Sequence, residues 1–231
     1  ILVDQEVVTT LGSNATGTAQ EQIRGLSLDG TFEVQVISYL GGSEFKSDRL
    51  DKLFFTPGEA VTTYSDNFTS DQGNFVGNGF VIERPTGFSN SAIHSEHPYG
   101  ELDNFIYELK TPIIVDATNS IMLYEDVAIV ETGQSGTSFG DVEFWDFVVV
   151  EGSTDGLNWT PLADGYDADF DETWTDTYDA GEDGEETMYV EHQIDLLDTY
   201  EAGTEILIRF RLFSVPNTVG WGWMIDNVLI Q

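Results

Sequence analysis

Short runs of alternating apolar and polar residues follow one another along this chain. Within residues 31–40, phenylalanine and valine stand at every second position, with glutamate and glutamine between them. A period of two is typical of β-strands with one buried face. No stretch longer than two turns shows a convincing helical period. The pattern therefore predicts an all-β protein.

Turn-forming residues separate the predicted strands after residue 60. Asn78-Gly79 is a hairpin signal within residues 73–84, and Asp155-Gly156 is another between two strands. Many short strands at such spacing are typical of an antiparallel β-sandwich, here a jelly roll. The predicted strands cover residues 61–68, 73–84, 104–109, 111–115, 120–131, 141–151, 157–162, 188–196, 205–214 and 220–230.

The closing strand, GWGWMIDNVLI, carries an acid in an apolar setting. Strict alternation places the odd-numbered residues from Trp223 on one face and the even-numbered ones, Asp226 among them, on the other. A buried unpaired charge costs several kcal/mol, on the order of the whole contribution of a large apolar side chain. Asp226 therefore needs a partner, and a cation is one candidate.

The 231 residues carry 42 acidic and 8 basic side chains, a net charge of -34. Such a charge argues against nucleic acid and anionic membrane surfaces as partners. Salt or divalent cations would relieve the self-repulsion. The chain has no cysteine, which excludes disulfides and thiol chemistry. It shows no apolar run of the ~18 residues needed for a membrane span. Without an initiator methionine or signal peptide, it is expected to be a mature protein or an excised piece.

Charge also divides the chain. Residues 63–231 hold most of the acids, and no lysine or arginine occurs between Lys110 and Arg209. We predict a boundary near residue 62, with a short β segment at 1–61 and a sandwich at 62–231. The first segment has predicted strands around 23–26, 31–40 and 52–56. It is short for an independent sandwich, so it is either truncated or docks on the second domain.

Several separated motifs carry a family resemblance over roughly residues 62–231: HSEHPY, LKTPIIV, DFVVVEGSTDGLNW, LADGYDA, ILIRFRL and GWGWMIDNVLI. They resemble MAM-like jelly-roll modules of large secreted or cell-surface bacterial proteins of the Bacteroidetes type. Residues 1–61 resemble the end of a fibronectin type III-like domain. The resemblance implies a non-catalytic accessory module of a multidomain extracellular or cell-surface protein, and it implies little about the ligand. Our leading hypothesis is adhesion or carbohydrate binding, with a glycan or cell-surface ligand. A structural repeat that joins neighbouring domains or subunits is the alternative.

Calcium is the expected cofactor. Many jelly-roll binding modules hold a structural calcium between the opening strand and an acid of the closing strand. The matching residues here are Asp66, Asn67 and Asp226, whose oxygen atoms suit Ca²⁺. Alternatively, Asp226 caps a turn or hydrogen-bonds to a neighbouring strand.

Residues 164–186 form a second, acidic candidate for cation binding. Asp167, Asp169 and Asp171 imitate the first ligands of an EF-hand, but Glu172 and Tyr178 stand where glycine and the bidentate glutamate are required. The segment is therefore not an EF-hand, although loose divalent binding in a solvated loop stays open.

Aromatic and histidine side chains are the candidates for ligand contact. Trp174, in the acidic segment, and Trp221, between two glycines, are expected to be exposed. Trp145 and Trp159 are expected to be buried by packing in the core or at a corner of the sandwich. His94 and His97 could bind a metal or a polar ligand, but the favoured interpretation of residues 94–99 is a surface loop packed by Pro98 and Tyr99. The predicted ligand-binding residues are His94, Tyr99, Trp174 and Trp221.

The sequence motifs that suggest catalysis do not lie in the structural context that catalysis requires. Gly136–Gly140 matches G-x-S-x-G, but a nucleophile elbow needs a strand before it and a helix after it. No H-E-x-x-H helix is present. We therefore predict that the chain is not an enzyme.

Overall fold

The computed structural model describes residues 2–3, 6–7, 30–35, 37–40, 43–46 and 50–231. The chain divides into two compact units, Ile1–Thr56 and Pro57–Gln231. The predicted strand at residues 23–26 lies outside the described residues.

The first unit consists of short antiparallel strands. Four of them form a sheet in the order β2-β1-β3-β6, and β4 and β5 pair as a separate hairpin. The predicted strand at residues 31–40 is therefore wrong as a single element, because its two halves belong to different sheets. The strands are β1 (Leu2–Val3), β2 (Glu6–Val7), β3 (Gly30–Gln35), β4 (Ile37–Leu40), β5 (Ser43–Lys46) and β6 (Leu50–Phe54).

The second unit contains twelve strands and one α-helix. Its strands are β7 (Tyr64–Asp66), β8 (Phe75–Asn78), β9 (Phe80–Glu83), β10 (Ala92–Ser95), β11 (Asn104–Leu109), β12 (Ile113–Ile114), β13 (Ile121–Ile129), β14 (Phe147–Ser153), β15 (Thr160–Pro161), β16 (Val190–Asp195), β17 (Glu205–Phe213) and β18 (Gly222–Ile230). The helix is α1 (Glu172–Ala180), and short 3-10 helices cover Ala168–Phe170, Glu186–Met188 and Leu196–Asp198.

These strands form two antiparallel sheets. The front sheet has the order β16-β13-β18-β10-β9, and β7 also pairs with β18. The back sheet has the order β15-β14-β17-β11-β8, and β12 also pairs with β17. The predicted all-β, antiparallel jelly-roll sandwich is thereby confirmed.

The core lies between the two sheets. Every second residue of β17 is buried, from Ile206 to Leu212, because alternate side chains of a strand point to the same face. Phe210 of this strand meets Trp223 of the front sheet edge to face, with ring centroids 5.6 Å apart. Burial of each such aromatic side chain contributes about 2–3 kcal/mol.

The regular pairing of β18 is interrupted at Asp226 and Asn227. Asn227 has a φ of 51°, and the register with β13 shifts beside it. Such a bulge inserts a residue into one strand and reverses the alternation beyond it. Val228 and Ile230 are consequently buried while Asn227 is exposed. The predicted unbroken alternation of this strand is wrong.

The Asn78-Gly79 pair does not form the predicted hairpin. β8 pairs with β11 in the back sheet, whereas β9 pairs with β10 in the front sheet. The chain therefore crosses from one sheet to the other at Gly79, where φ is 73°. A Cβ atom at this position would lie 2.1 Å from the Phe105 ring, so glycine allows the crossing.

α1 is an element that the sequence pattern did not reveal. The Asp171 side chain accepts a hydrogen bond from Thr173 N at its start, and Gly181 closes it with a φ of 64°. Only two of its residues, Trp174 and Thr177, are buried, too few to produce a helical period.

Candidate functional site

A cavity lies at the β9 edge of the front sheet. Its volume is about 750 Å³. β9, β10 and the segments that directly follow each of them supply most of its wall. The lining residues are Gly79, Phe80, Val81, Glu83, Arg84, Pro85, Thr86, His94, Ser95, Glu96, His97, Pro98, Asp183 and Trp221.

β10 brings His94 to this cavity. All four of its residues are buried, and the strand lies between β9 and β18, with Val81 and Met224 opposite His94. The prediction of a surface loop starting at His94 is wrong. His94 is only 6% exposed, yet it is polar.

A column of stacked rings stands beside this strand. The His94 and His97 rings are 4.8 Å apart and inclined by 13°, and the His97 and Trp221 rings are 3.9 Å apart and inclined by 11°. Trp221 also stacks against Phe88, with ring centroids 6.0 Å apart. Because only 8% of its surface is exposed, the Trp221 ring offers little area for a ligand to stack on.

The glycines beside Trp221 serve close packing. A Cβ atom at Gly222, where φ is 141°, would lie 2.4 Å from Ser95 Oγ, and one at Gly220 would lie 2.3 Å from Ile129 O. The expected exposure of Trp221 is accordingly wrong, since its exposed fraction is 8%.

Each histidine has one nitrogen that is satisfied. Nδ1 of His94 lies 2.7 Å from Ser95 O, and Nδ1 of His97 lies 3.1 Å from Trp221 O. A carbonyl oxygen only accepts hydrogen bonds, so Nδ1 is the protonated nitrogen in both rings.

Each histidine also has a nitrogen that is not satisfied. Nε2 of His94 and Nε2 of His97 are buried and have no hydrogen-bond partner. The nearest carboxylate, Glu83 Oε1, is 3.7 Å from His94 Nε2. Burial lowers the pKa of His97 to about 4, so Nε2 of this ring is an acceptor at neutral pH. An unsatisfied buried acceptor costs about 1–3 kcal/mol.

The cavity rim is acidic. Glu83, Glu96 and Asp183 are exposed around it, and Arg84 is the one basic residue in its lining. An anion that enters the cavity is therefore repelled, to an extent that depends on salt.

Of the four predicted ligand-binding residues, His94 and Trp221 line this cavity, whereas Tyr99 and Trp174 do not. Tyr99 is buried; its hydroxyl donates to Asp146 Oδ2 at 2.5 Å and accepts from Glu131 N at 3.0 Å. Trp174 is 0% exposed, and its Nε1 donates to Met188 O at 2.9 Å. The expected exposure of Trp174 is wrong, because α1 turns this side chain inward.

The predicted calcium ligands Asp66 and Asp226 lie on paired strands, since β7 runs beside β18. Asp66 Oδ1 accepts from Phe68 N at 2.9 Å, while Asp226 Oδ2 accepts from the Asn90 amide at 2.8 Å. Burial raises the pKa of Asp226, and nearby carboxylates raise it further.

The third predicted ligand, Asn67, is exposed; its Oδ1 accepts from Thr69 Oγ1 at 2.7 Å. Within the residues that the structure describes, no three histidine, aspartate or glutamate side chains are grouped to hold a metal ion. Calcium stays a prediction at this site, as does loose divalent binding by the acidic segment. In that segment Asp167 accepts from Gly133 N at 2.9 Å and Asp171 caps α1.

A buried network around Asp126 escaped the sequence reasoning. This carboxylate is 0% exposed. It accepts from Tyr166 Oη at 2.5 Å and Trp223 Nε1 at 2.6 Å, and it pairs with His192 Nε2 at 2.8 Å. All of these groups are satisfied by one another, so the network stabilises the front sheet.

The structure also places the two remaining predicted tryptophans, Trp145 and Trp159, and the two arginines of β17. Trp145 is 37% exposed, so its predicted burial is wrong. The Arg209 guanidinium lies 4.1 Å from the centre of the Trp159 ring and 2.7 Å from Glu151. Arg211 also reaches Glu151, at 3.4 Å, so both arginines neutralise the same carboxylate.

No helix in the described residues combines the length and the apolar composition that crossing a bilayer requires.

No protein-family model matches the chain, and no curated protein matches it in sequence. Among solved structures, it is similar to a carbohydrate-binding module specific for non-crystalline cellulose. The TM-score is 0.47 and the identity 15%, over 76% of this chain and 96% of that chain. A mannan-recognising carbohydrate-binding module has a TM-score of 0.33 and 11% identity, over 74% of this chain and 98% of that chain.

An adhesin domain is a further structural neighbour: the K3 cleaved adhesin domain of Lys-gingipain from Porphyromonas gingivalis w83. Its TM-score is 0.39 and its identity 12%, over 74% of this chain and 91% of that chain. At such values the likeness concerns the β-sandwich fold and not the ligand. The MAM-like and fibronectin-like assignments stay predictions. The chain shares its fold class with carbohydrate-binding and adhesin modules.

Proposed function

We propose that the unit Pro57–Gln231 is a non-catalytic binding module that recognises carbohydrate in the cavity beside β9 and β10. The observation that carries this proposal is a concave site lined by two histidines, each with a buried Nε2 that has no hydrogen-bond partner. Its volume of about 750 Å³ is within the range of ~300–1,000 Å³ common for small-molecule sites.

The hydroxyl in the cavity wall supports a binding role over a catalytic one. Ser95 Oγ donates to Glu96 O at 3.0 Å and accepts from Trp223 N at 3.0 Å. A serine nucleophile instead requires a hydrogen bond to a general base. The serine beside these histidines is therefore held by the backbone, which suits a rigid recognition surface.

We further propose that the module works outside the cell or on its surface. The large excess of acids over bases suits a salty medium, where ions screen the repulsion between carboxylates. Calcium bound near Asp66 and Asp226 would act in the same direction.

A blocked cavity tests the proposal. Val81 lines the cavity and is 47% exposed, so Val81→Trp adds bulk into the cavity without entering the core. Val142 is 91% exposed and is not part of the lining, which makes Val142→Trp the matched control. The full chain is applied to a glycan array, and each positive saccharide is then titrated by calorimetry.

The expected result is that wild type and Val142→Trp bind the same saccharide and that Val81→Trp loses at least ten-fold in affinity. Unchanged affinity in Val81→Trp would show that the saccharide does not bind in this cavity. Absence of binding to every saccharide in the wild type would reject carbohydrate recognition itself.

An assembly module that joins subunits is the second candidate, and the loop before β14 favours it. Val142 and Trp145 in this loop expose 91% and 37% of their surfaces, as apolar contacts between subunits would require. Sedimentation velocity over a hundred-fold concentration range tests this. Growth in mass that Trp145→Ser abolishes, with no saccharide bound, would favour assembly over carbohydrate recognition.

A further inference from the structure

His94 and His97 both line the cavity, and each carries one ring nitrogen without a hydrogen-bond partner. Both nitrogens are shielded from solvent, so a ligand reaches them only when neighbouring side chains at the rim move aside. The chemistry of these nitrogens specifies the kind of ligand group that they can bind. Nε2 of His94 and Nε2 of His97 are each left over after Nδ1 has donated to a carbonyl. An imidazole with its proton on Nδ1 offers only a lone pair at Nε2. The complementary ligand atom is therefore a hydrogen-bond donor or a metal ion.

The ring geometry disfavours a shared metal ion. An ion bound by imidazole lies near the ring plane, along the nitrogen lone pair. These two planes are inclined by only 13° with centroids 4.8 Å apart, so they do not converge on one point nearby. No third histidine or acid completes a metal-binding group among the described residues. Two separate donors fit the two nitrogens better.

The charge of the cavity rim further restricts which kind of donor group the ligand carries. Glu83, Glu96 and Asp183 at the rim oppose an anionic ligand, and Arg84 offsets only part of this charge. An ammonium group would be attracted by the rim. At Nε2 of His97, whose imidazole is uncharged at neutral pH, an ammonium group would lose hydration on burial. A hydroxyl group loses less hydration on burial.

We propose that the cavity selects an uncharged saccharide, two hydroxyls of which donate to Nε2 of His94 and Nε2 of His97. This inference rests on the proposed carbohydrate recognition and adds the ligand class and the contacts. Uronate and sulfated sugars are rejected by the acidic rim. Because Trp221 stacks on His97 and is only 8% exposed, recognition at this site depends on hydrogen bonds more than on ring stacking.

A ligand panel tests the charge selection. The full chain is titrated with hexasaccharides of glucose, mannose, galactose and xylose, with those of glucuronate, mannuronate and galacturonate, and with the hexamer of glucosamine. A neutral hexasaccharide is expected to bind at least ten-fold more tightly than its uronate and its amino counterparts. Equal or tighter binding of a charged form, at physiological salt, would overturn the proposal.

A combined change of protein and ligand tests the contacts. His97→Phe keeps a flat ring against Trp221 and removes the acceptor; His94→Phe does the same at the other position. The second change is a set of singly deoxyfluorinated forms of the bound sugar, since fluorine replaces a hydroxyl without donating. In wild type, two of these analogues should lose about 3- to 10-fold in affinity, as expected for one hydrogen bond.

In His97→Phe, one of these two fluorinated analogues should bind as tightly as the unmodified sugar. In His94→Phe, the other analogue should do so. Thermal melts of both variants confirm that they are folded. Penalties that persist unchanged in both folded variants would overturn the proposed contacts even if the Val81→Trp experiment supports the cavity. Zn²⁺ alone is titrated as well, and tight binding of Zn²⁺ that both histidine variants abolish would replace the saccharide contacts with a metal site.

Discussion

Glu108 makes the stability of the sandwich depend on pH in a way that can be measured. It lies in β11, with Arg209 of β17 on one side and Val76 of β8 on the other. Only 5% of its surface is exposed. The Arg209 guanidinium is already engaged by Glu151 at 2.7 Å. Burial therefore outweighs the attraction of Arg209 and raises the pKa of Glu108 from 4.5 to about 7.

The sign of the effect follows from linkage. The folded protein holds the Glu108 proton more tightly than the unfolded chain does, so the folded state is favoured by protonation. This contribution is fully present below pH 4.5 and is lost as the pH rises towards 7. Each pKa unit is worth about 1.4 kcal/mol, so the difference across this window is about 3 kcal/mol.

Glu108→Gln should remove this dependence. Relative to wild type, the free energy of unfolding of the variant should be higher by about 3 kcal/mol at pH 8 than at pH 5. Urea unfolding followed by tryptophan fluorescence, at constant ionic strength, measures the difference at each pH. Glu101→Gln, at an exposed position, is the control and should show no such trend. A Glu108→Gln difference that stays constant from pH 5 to pH 8 would refute the reasoning.

Three further changes test other parts of the molecule. If calcium binds at β7 and β18, it raises the melting midpoint of wild type above that in EDTA but not that of Asp226→Ala; equal midpoints at matched ionic strength would reject the site. Asn227→Ala should lower the free energy of unfolding by about 1–2 kcal/mol in urea, because φ is 51° there, while Asn227→Gly should preserve it. A larger loss in the glycine variant would contradict this account of the bulge. Trp174→Phe removes the donor to Met188 O and should cost about 1–2 kcal/mol without changing saccharide affinity in calorimetry; lost affinity in a folded variant would contradict its assignment to the core.

The strand content was largely accessible from the sequence because alternation is a local signal. Residues 104–109 and 205–214 correspond closely to β11 and β17. The separate partners of β8 and β9 could not be predicted from the sequence. Asn78-Gly79 has the same local chemistry whether the chain returns within one sheet or crosses to the other. β10 was missed because all four of its residues are buried, which erases alternation.

The site was predictable in part. His94 and Trp221 were singled out as chemically unusual residues, but their proximity depends on long-range pairing of β10 with β18. His97 gained its importance only from its contacts with Trp221. Trp174 misled because an acidic surrounding indicates solvent, whereas α1 exposes its acids and buries its tryptophan together.

The position of β18 also determines when this unit can fold. It is the last strand of the unit, yet it pairs with β13 along one edge and with β10 and β7 along the other. Until residues 222–230 leave the ribosome, those three strands have unpaired edges. Such edges promote association between nascent chains. The front sheet therefore cannot be completed before the whole unit has been synthesised, and chains truncated before residue 222 should depend on chaperones or be degraded.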